Sequence, residues 1–481
     1  MSIKKNILYS SVLTVSRYLL PLITYPYVSR VLGVTNIGIC NFVDSIINYF
    51  LLVSMMGVVS VGVREIAASK SDAREMSKTF SSLVGLNGML TLFSLLLLVA
   101  VTLCVPQLYA HKELMMVGAL KLAANFCLLE WLYTGLENFR YITIRTLIVR
   151  AAYAVAVFVF IRDADDYPLY YLFLTLMIVV NAVVNTFYSR HFVSFSWRHL
   201  HLKQYLKPVM TLGVYAMLSS MYTTFNMAFL GFVASPDEVG FYGTAAKLFT
   251  IIIAFYTAFT TVMMPRMSAL LSEQKTEEFR SMVRKATNVL IALAVPFIII
   301  CCVFSSGIVM LISGDGYEGA WLPTRIVMPL IFVIGYSQIL VVQILMPMRG
   351  DRETLVNSAI GAGVGVLLNV LLVPHLHAVG SSITWVVSEV CVMSSAQYFV
   401  KKKTGIGFPF RSLLRNVAAY LPAIAVSLYI GFGSGMNGIV AFFAGSVFVV
   451  LYGLVIQTCF LRDELVLQYV GKVKDRFFLR R

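Results

Sequence analysis

The chain contains 481 residues, of which 59% are hydrophobic and only 13% are charged, and its formal net charge is +15. This composition excludes intrinsic disorder, and it excludes an ordinary soluble protein, in which about 25% of residues are charged. The mean hydropathy of +0.82 indicates that lipid surrounds most of the chain.

Apolar segments long enough to cross a bilayer follow one another along the whole chain. A spanning helix needs about 20 mostly apolar residues. The runs are continuous rather than alternating, which excludes a transmembrane barrel. The sequence therefore predicts an all-α polytopic membrane protein with 14 transmembrane helices, near residues 8–30, 37–62, 80–105, 114–135, 142–161, 169–189, 208–234, 241–263, 286–312, 326–347, 355–373, 379–399, 412–431 and 437–460.

The basic residues of the loops indicate how these helices are oriented. With the N-terminus in the cytoplasm, 30 of the 38 Lys and Arg residues fall in cytoplasmic segments and four fall in outer loops. Because positive charge marks cytoplasmic loops, both termini are predicted to be cytoplasmic. The start of the chain, with Lys4 and Lys5, is interpreted as the entry to the first span rather than as a signal peptide. The basic runs 401–403 and 472–481 are interpreted as facing anionic lipid, so no nucleic acid is predicted.

Cysteine and histidine give no strong signal for a metal or a disulfide. The seven cysteines lie in apolar stretches without Cys-x-x-Cys spacing, as is typical of small buried side chains. Two His-x-His pairs, His199/His201 and His375/His377, leave a metal role open as an alternative, but no third ligand accompanies them. We therefore predict no metal and no cofactor.

An ungapped shift of 202 residues aligns the chain with itself. Gly38 aligns with Gly240 and Arg64 with Arg266, at corresponding places in the predicted topology. Such a repeat predicts two parallel-related six-helix lobes around a central substrate cavity, with helices 13 and 14 outside the repeat. The predicted domains are an N-lobe at 1–203, a C-lobe at 204–403, and helices 13 and 14 with a basic cytoplasmic tail at 404–481.

Four strings resemble the signatures of bacterial polysaccharide-biosynthesis flippases, the O-antigen and capsule-type exporters of lipid-linked oligosaccharides. They are PLITYPYVSRVLGVTNIGICNF at 21–42, GVREIA at 62–67, DEVGFYGTAAKL at 237–248 and MMPRMS at 263–268. This family shares a superfamily with multidrug/toxin extrusion antiporters and the lipid II flippase. The resemblance implies two six-helix lobes around a V-shaped cavity, and a substrate linked to undecaprenyl pyrophosphate.

Ionisable residues inside membrane spans are costly and are therefore functional candidates. Arg17 and Lys247 match by position the cavity cations of related flippases, and the resemblance implies that they bind the substrate pyrophosphate. Arginine suits phosphate because its planar fork pairs with two oxygens. A structural ion pair or snorkelling is the alternative for both. Asp44 is predicted to neutralise one of these cations or to bind a coupling ion, and Arg30 to hold the phosphate near the exit.

Further candidates are less sharply defined. Glu130 is predicted as a proton or sodium site, and Lys121, Arg150 and Glu389 are the other ionisable residues placed inside spans or at their ends. A neighbour in the same lobe is the expected partner of Lys121. Amides and phenols are predicted to bind sugar hydroxyls, with interhelical hydrogen bonding as the alternative. These residues are Asn41, Asn48, Tyr222, Asn226 and Tyr242.

The sequence thus predicts a flippase, not an enzyme, that moves an undecaprenyl-pyrophosphate-linked oligosaccharide (an O-antigen, capsule or exopolysaccharide unit) across the bacterial cytoplasmic (inner) membrane by alternating access. No nucleotide-binding motif occurs, so an ion gradient or consumption of the product is expected to supply the energy. The expected partners are the substrate, membrane lipid, and polymerase and chain-length proteins of the glycan pathway.

Two alternatives remain open. A multidrug antiporter of the same fold would need acids rather than Arg and Lys in its cavity. A membrane glycan polymerase or glycosyltransferase would need a larger outer loop than the one near 313–325.

Overall fold

Helices form almost all of the structure. The computed structural model describes residues 3–196 and 200–461, with the backbone alone at 3–8, 222–223, 255, 258–259, 261–262 and 265, and no strand occurs among them. The predicted tail at 472–481, His199 and the side chains of Lys4, Lys5 and Tyr222 lie outside this description.

Eighteen α-helices follow one another along the described residues. They are α1 (Ile3–Met55), α2 (Val58–Ser69), α3 (Ala73–Cys104), α4 (Pro106–Ala110), α5 (Lys112–Phe126), α6 (Glu130–Gly135), α7 (Phe139–Phe160), α8 (Tyr167–Ser189), α9 (Leu202–Thr223), α10 (Phe225–Val233), α11 (Pro236–Ser272), α12 (Thr276–Val303), α13 (Ser305–Ser313), α14 (Trp321–Val327), α15 (Leu330–Gln338), α16 (Asp351–Thr404), α17 (Phe410–Leu428) and α18 (Gly438–Val455). Short 3-10 helices cover Ala164–Asp166 and Glu318–Ala320, and π-helices cover Ile339–Leu345, Tyr429–Gly433 and Ile456–Phe460.

Ten helical ranges among the described residues are long and apolar enough to cross a membrane. Two of them, Tyr9–Ser69 and Asp351–Thr404, each contain two predicted spans. Non-helical backbone separates those spans, at Gly33 with φ 73° and at His377 with φ 47°. The all-helical membrane class is therefore confirmed, whereas the count of 14 spans and the two-lobed layout stay predictions.

The chain divides into two compact units, Met1–Gly243 and Thr244–Arg481, and the boundary falls within α11. The predicted lobes at 1–203 and 204–403 were defined by the 202-residue repeat, whereas these units are defined by contacts. The predicted lobe boundaries therefore stay predictions.

In Met1–Gly243, the long helix α1 packs against α3, α5 and α7. An apolar cluster joins α2, α3 and α6, with Phe80 and Trp131 among its largest members. Asp72 begins α3 by accepting hydrogen bonds from the backbone N–H groups of Arg74 and Glu75. These bonds hold the pKa of the Asp72 carboxyl below its usual range, and the bond from the Glu75 N–H has the larger effect.

In Thr244–Arg481, the helices α17 and α18 pack against helices that precede them in the same unit. Helix α17 contacts α12, and α18 contacts α13. A Cβ atom added to Gly307 would lie 2.1 Å from the carbonyl oxygen of Gly438, so the absence of side chains allows this close approach. Arg325 donates a hydrogen bond of 2.7 Å to Ser305 and links α14 to α13.

Two glycines that the 202-residue repeat makes equivalent also lie at one helix crossing. A Cβ atom on Gly38 would lie 1.8 Å from the carbonyl oxygen of Pro236, and one on Gly240 would lie 2.5 Å from the carbonyl oxygen of Val34. Pro236 is the repeat equivalent of Val34. The contact is therefore reciprocal, as it would be on a two-fold axis between residues 34–38 and 236–240.

A hydrogen bond at the same crossing also joins two residues that the repeat makes equivalent. Thr35 donates from Oγ1 to Oδ1 of Asp237 over 2.5 Å, and the two residues are 202 positions apart. The pairing of equivalent positions supports the repeat that the sequence suggests.

Gly38→Ala is expected to lower the free energy of unfolding by about 2 kcal/mol, because its Cβ would push against backbone that cannot rotate away. Unfolding in mixed detergent and SDS micelles measures this change. Gly363→Ala is the matched control, since no atom lies within 4 Å of a Cβ there and it is in the helix α16. Equal unfolding curves for Gly38→Ala and the wild type would contradict the close contact.

Candidate functional site

An ion pair between a buried lysine and a half-buried aspartate joins α1 to α5 inside Met1–Gly243. Lys121 donates from Nζ to Oδ1 of Asp44 over 2.6 Å, and the Lys121 side chain is 11% exposed. Tyr171 on α8 donates to the same carboxylate oxygen over 3.2 Å, and Asn48 donates to the other over 3.1 Å. Residues of α1, α5 and α8 thus place three polar side chains around the Asp44 carboxylate.

This cluster gives Asp44 a partner within its own unit. Lys121 has the expected kind of partner, a neighbour in the same lobe. Asp44 is not paired with Arg17, one of the two cations that the sequence suggested for it. Its predicted roles in substrate binding and ion coupling stay predictions.

A second ion pair involves a cation that is not among the candidates named from the sequence. Arg145 on α7 is 6% exposed and donates to the carboxylate of Glu130 over 2.7 Å. It also donates to Thr146 over 2.9 Å and lies over the ring of Tyr141. The one available signal was that Glu130 and Arg145 lie 15 residues apart, on either side of the short connection between α6 and α7. Whether Glu130 binds a proton or sodium stays a prediction.

Two arginines lie close to each other on α1 and α7. Arg150 donates to the hydroxyl of Ser16 and, over 3.3 Å, to the carbonyl oxygen of Leu13. Arg17 follows Ser16 directly and is exposed. Within residues 3–196 and 200–461, the Arg17 side chain forms no hydrogen bond or ion pair. Its guanidinium group therefore retains its hydrogen-bond donors for a ligand.

The other charged candidates lie on three different helices. Lys247 is half-buried on α11, and Arg30 on α1 donates to the carbonyl oxygen of Pro26 over 3.2 Å. Glu389 is 6% exposed on α16. No group of three His, Cys, Asp or Glu residues in the described part of the chain could hold a metal ion.

The amide candidates are packed against other helices. Asn226 is fully buried and donates to the hydroxyl of Tyr242 over 3.3 Å, which is the interhelical hydrogen bond foreseen as the alternative to sugar binding. A Cβ atom on Gly243 would lie 2.5 Å from the amide nitrogen of Asn41. Sugar binding by Asn41 and Asn226 stays a prediction, and for Asn226 it would require this pair to separate.

A three-residue break separates α5 from α6 in a segment that the sequence predicts as one span. Leu129 has φ 47°, a left-handed conformation that costs a residue with a side chain roughly 1–2 kcal/mol. Asn185 on α8 donates to the carbonyl oxygen of Leu128, and Thr186 donates to that of Cys127 over 3.3 Å. Side chains of α8 therefore replace helical hydrogen bonds that the break removes, as irregular backbone at membrane depth requires.

A cavity of about 640 Å³ lies within Met1–Gly243. Its walls come from α1, α2, the end of α5, the α5–α6 break, α6, α9 and the residue that follows α9. Asn48 and Glu130 both line it, so each of the two ion-pair clusters borders the cavity through one polar side chain.

The family of the chain follows from comparison with known proteins. The profile of the family described as "Polysaccharide biosynthesis protein" matches residues 3–271, more than half of the chain. The chain belongs to this family. The family resemblance inferred from the four sequence strings is therefore confirmed.

Two relatives carry the same description, "Putative O-antigen transporter". The one from Escherichia coli (strain K12) is 24% identical over 407 residues, which cover 83% of this chain and 97% of the relative. The one from Shigella dysenteriae is 23% identical over 277 residues, which cover 56% of this chain and 68% of the relative.

Solved structures of two transporter types share the fold. The lipid II flippase MurJ in an inward closed conformation superposes with a TM-score of 0.80 at 14% identity, covering 95% of this chain and 100% of that one. An inward-facing multidrug resistance MATE family transporter of the MOP superfamily gives a TM-score of 0.58 at 12% identity, covering 84% and 95%. At these identities the likeness concerns the fold alone.

Lys121→Gln is expected to lower the free energy of unfolding by about 2 kcal/mol, because it leaves the half-buried Asp44 carboxylate without its cation. SDS titration of the purified protein in detergent micelles measures this change. Adding Asp44→Asn in the same chain should recover most of the loss. Lys78→Gln is the matched control, since its pair with Glu75 is exposed and is worth less than about 1 kcal/mol. An equal effect of Lys121→Gln and Lys78→Gln would contradict a stabilising role for the pair of Lys121 and Asp44.

Proposed function

We propose that the protein moves an undecaprenyl-pyrophosphate-linked oligosaccharide from the cytoplasmic to the periplasmic leaflet of the bacterial inner membrane by alternating access. The isoprenoid tail remains in the lipid, and the protein carries the pyrophosphate and the sugars. Both termini face the cytoplasm in this proposal, and the protein performs no chemical step.

The observation that carries the proposal is the state of Arg17. An arginine inside a membrane-spanning helix is costly unless an anion or water compensates it. Arg17 is exposed and has no ion pair with any described residue, whereas Asp44 and Glu130 are each paired with other cations. A pyrophosphate group is an anion whose oxygens can accept two parallel hydrogen bonds from the planar guanidinium group of Arg17. Lys247 on α11 is the second cation proposed to bind it.

The relatives support the same substrate class. Two of them are described as O-antigen transporters, and the solved structure with a TM-score of 0.80 is a lipid II flippase. O-antigen units and lipid II both combine an undecaprenyl pyrophosphate with sugars. We therefore propose that the substrate of this chain is an O-antigen, capsule or exopolysaccharide unit. The proposed partners are the polymerase and chain-length proteins of the same glycan pathway.

The energy source is proposed to be an ion gradient or the consumption of the exported product. Asp44 and Glu130 are the carboxylates proposed to sense a coupling ion. Each already has a cation as its partner, so a coupling proton or sodium ion would act by competing with Lys121 or Arg145.

Arg17→Ala and Lys247→Ala are each expected to reduce glycan export at least about ten-fold, because the pyrophosphate loses a charge-assisted hydrogen bond. Arg17→Lys should retain part of the export, since it keeps the charge but loses the fork. Export is measured as surface glycan in cells whose own exporter gene is deleted, and an immunoblot of the membrane fraction checks protein amount.

Lys275→Ala is the control for these variants, because Lys275 is exposed between α11 and α12 and pairs with Glu273. Full export from both Arg17→Ala and Lys247→Ala would refute the proposed pyrophosphate site. Resistance to organic cations in overexpressing cells, without restored glycan export, would favour the multidrug antiporter instead.

A further inference from the structure

The described residues that line the cavity within Met1–Gly243 carry no positive charge, unlike the residues proposed to bind pyrophosphate. Among its described lining residues, none is Lys or Arg, and Glu130 carries the one charge. A pyrophosphate group bears two or more negative charges and requires cations to replace its water. The cavity therefore suits an uncharged ligand better than it suits the pyrophosphate.

The polar groups on the cavity wall are those that bind hydroxyl groups. Amides offer both donors and an acceptor, a carboxylate accepts, and hydroxyls do both. The side chains concerned are Asn48, Asn125, Glu130, Tyr215, Ser219 and Thr224. Leu51, Leu52 and Met55 supply apolar surface between them. A sugar ring has hydroxyls at its edge and C–H groups on its faces, so a mixed wall of this kind matches a saccharide, and about 640 Å³ is enough for a small one.

The Glu130 carboxylate is fixed in an orientation that leaves it available. Its partner Arg145 has a side chain only 5% exposed, whereas the Glu130 side chain is 43% exposed. The guanidinium group therefore holds the carboxylate from the covered side. A carboxylate has about four acceptor sites, so one bond of 2.7 Å to Arg145 leaves capacity for sugar hydroxyls.

The break between α5 and α6 brings two of these polar residues to one wall. In an uninterrupted helix, Asn125 and Glu130 would lie about 140° apart around the axis, because each residue advances about 100°. In the structure both line the same cavity. The strained backbone at Leu129 and the hydrogen bonds from α8 thus have a consequence for ligand binding.

Resting on the proposed function, we propose that this cavity is a glycan subsite, in which Glu130, Asn125 and Asn48 bind hydroxyl groups of the oligosaccharide apart from the cations that bind its pyrophosphate. The subsite would determine which sugars the flippase accepts, and the cations would recognise the part that all such lipids share.

The test compares two ligands for the full-length protein in lipid nanodiscs, with binding measured by native mass spectrometry. One ligand is undecaprenyl pyrophosphate without sugar, and the other is the lipid-linked oligosaccharide pool extracted from export-deficient host cells. The variants are Glu130→Gln and Asn125→Leu. The matched control is Glu137→Gln, seven residues further along, which alters an exposed Glu paired with Lys70 and absent from the cavity wall.

Both variants are expected to weaken binding of the oligosaccharide lipid about ten-fold, through loss of hydroxyl contacts, and to leave binding of undecaprenyl pyrophosphate unchanged. The control should bind both lipids as the wild type does. Equal weakening for both lipids, or no weakening for either, overturns the glycan subsite. If Glu130→Gln fails to accumulate, Asn125→Leu decides alone, because Asn125 belongs to neither ion pair.

The wild type separates this inference from the proposed function. Wild-type protein that binds neither lipid would refute both, whereas wild-type binding of both lipids with unaffected variants would refute the subsite alone.

Discussion

A charged or polar group inside a membrane-embedded helix bundle needs a partner, because neither lipid nor a dry interior replaces the water that it loses. In Met1–Gly243 this constraint determines much of the structure. Lys121 compensates Asp44, Arg145 compensates Glu130, and hydroxyl and carbonyl groups of α1 receive Arg150. Against this background Arg17 stands out, since its exposed side chain has no hydrogen bond or ion pair with the residues that the structure describes.

The same constraint explains how a helix can be interrupted at membrane depth. The carbonyl groups freed between α5 and α6 are bonded by Asn185 and Thr186, two adjacent residues of α8. The interruption is therefore specified by a neighbouring helix rather than by a proline or glycine at the break itself. It belongs to a general pattern in membrane transporters, in which irregular backbone lines a cavity.

Much of this arrangement could be predicted from the sequence. Hydropathy located the helices, the breaks at Gly33 and His377 fall where loops were expected, and four short strings identified the family. Arg145 was missed because hydropathy near a helix end cannot distinguish a side chain directed inward from one in the aqueous loop. The α5–α6 break was missed because its local sequence is ordinary, and the hydrogen bonds that permit it come from α8. Partners such as Lys121 for Asp44 depend on which helix faces touch, and periodicity alone does not give that information.

The reciprocal contact at Gly38 and Gly240 has a consequence for how the sequence can change. Where equivalent positions of a repeat touch each other, a larger side chain in one half removes the space needed by its counterpart in the other. At this crossing a change in one of the two segments is therefore constrained by the other. Gly38 and Gly240 are expected to stay small together.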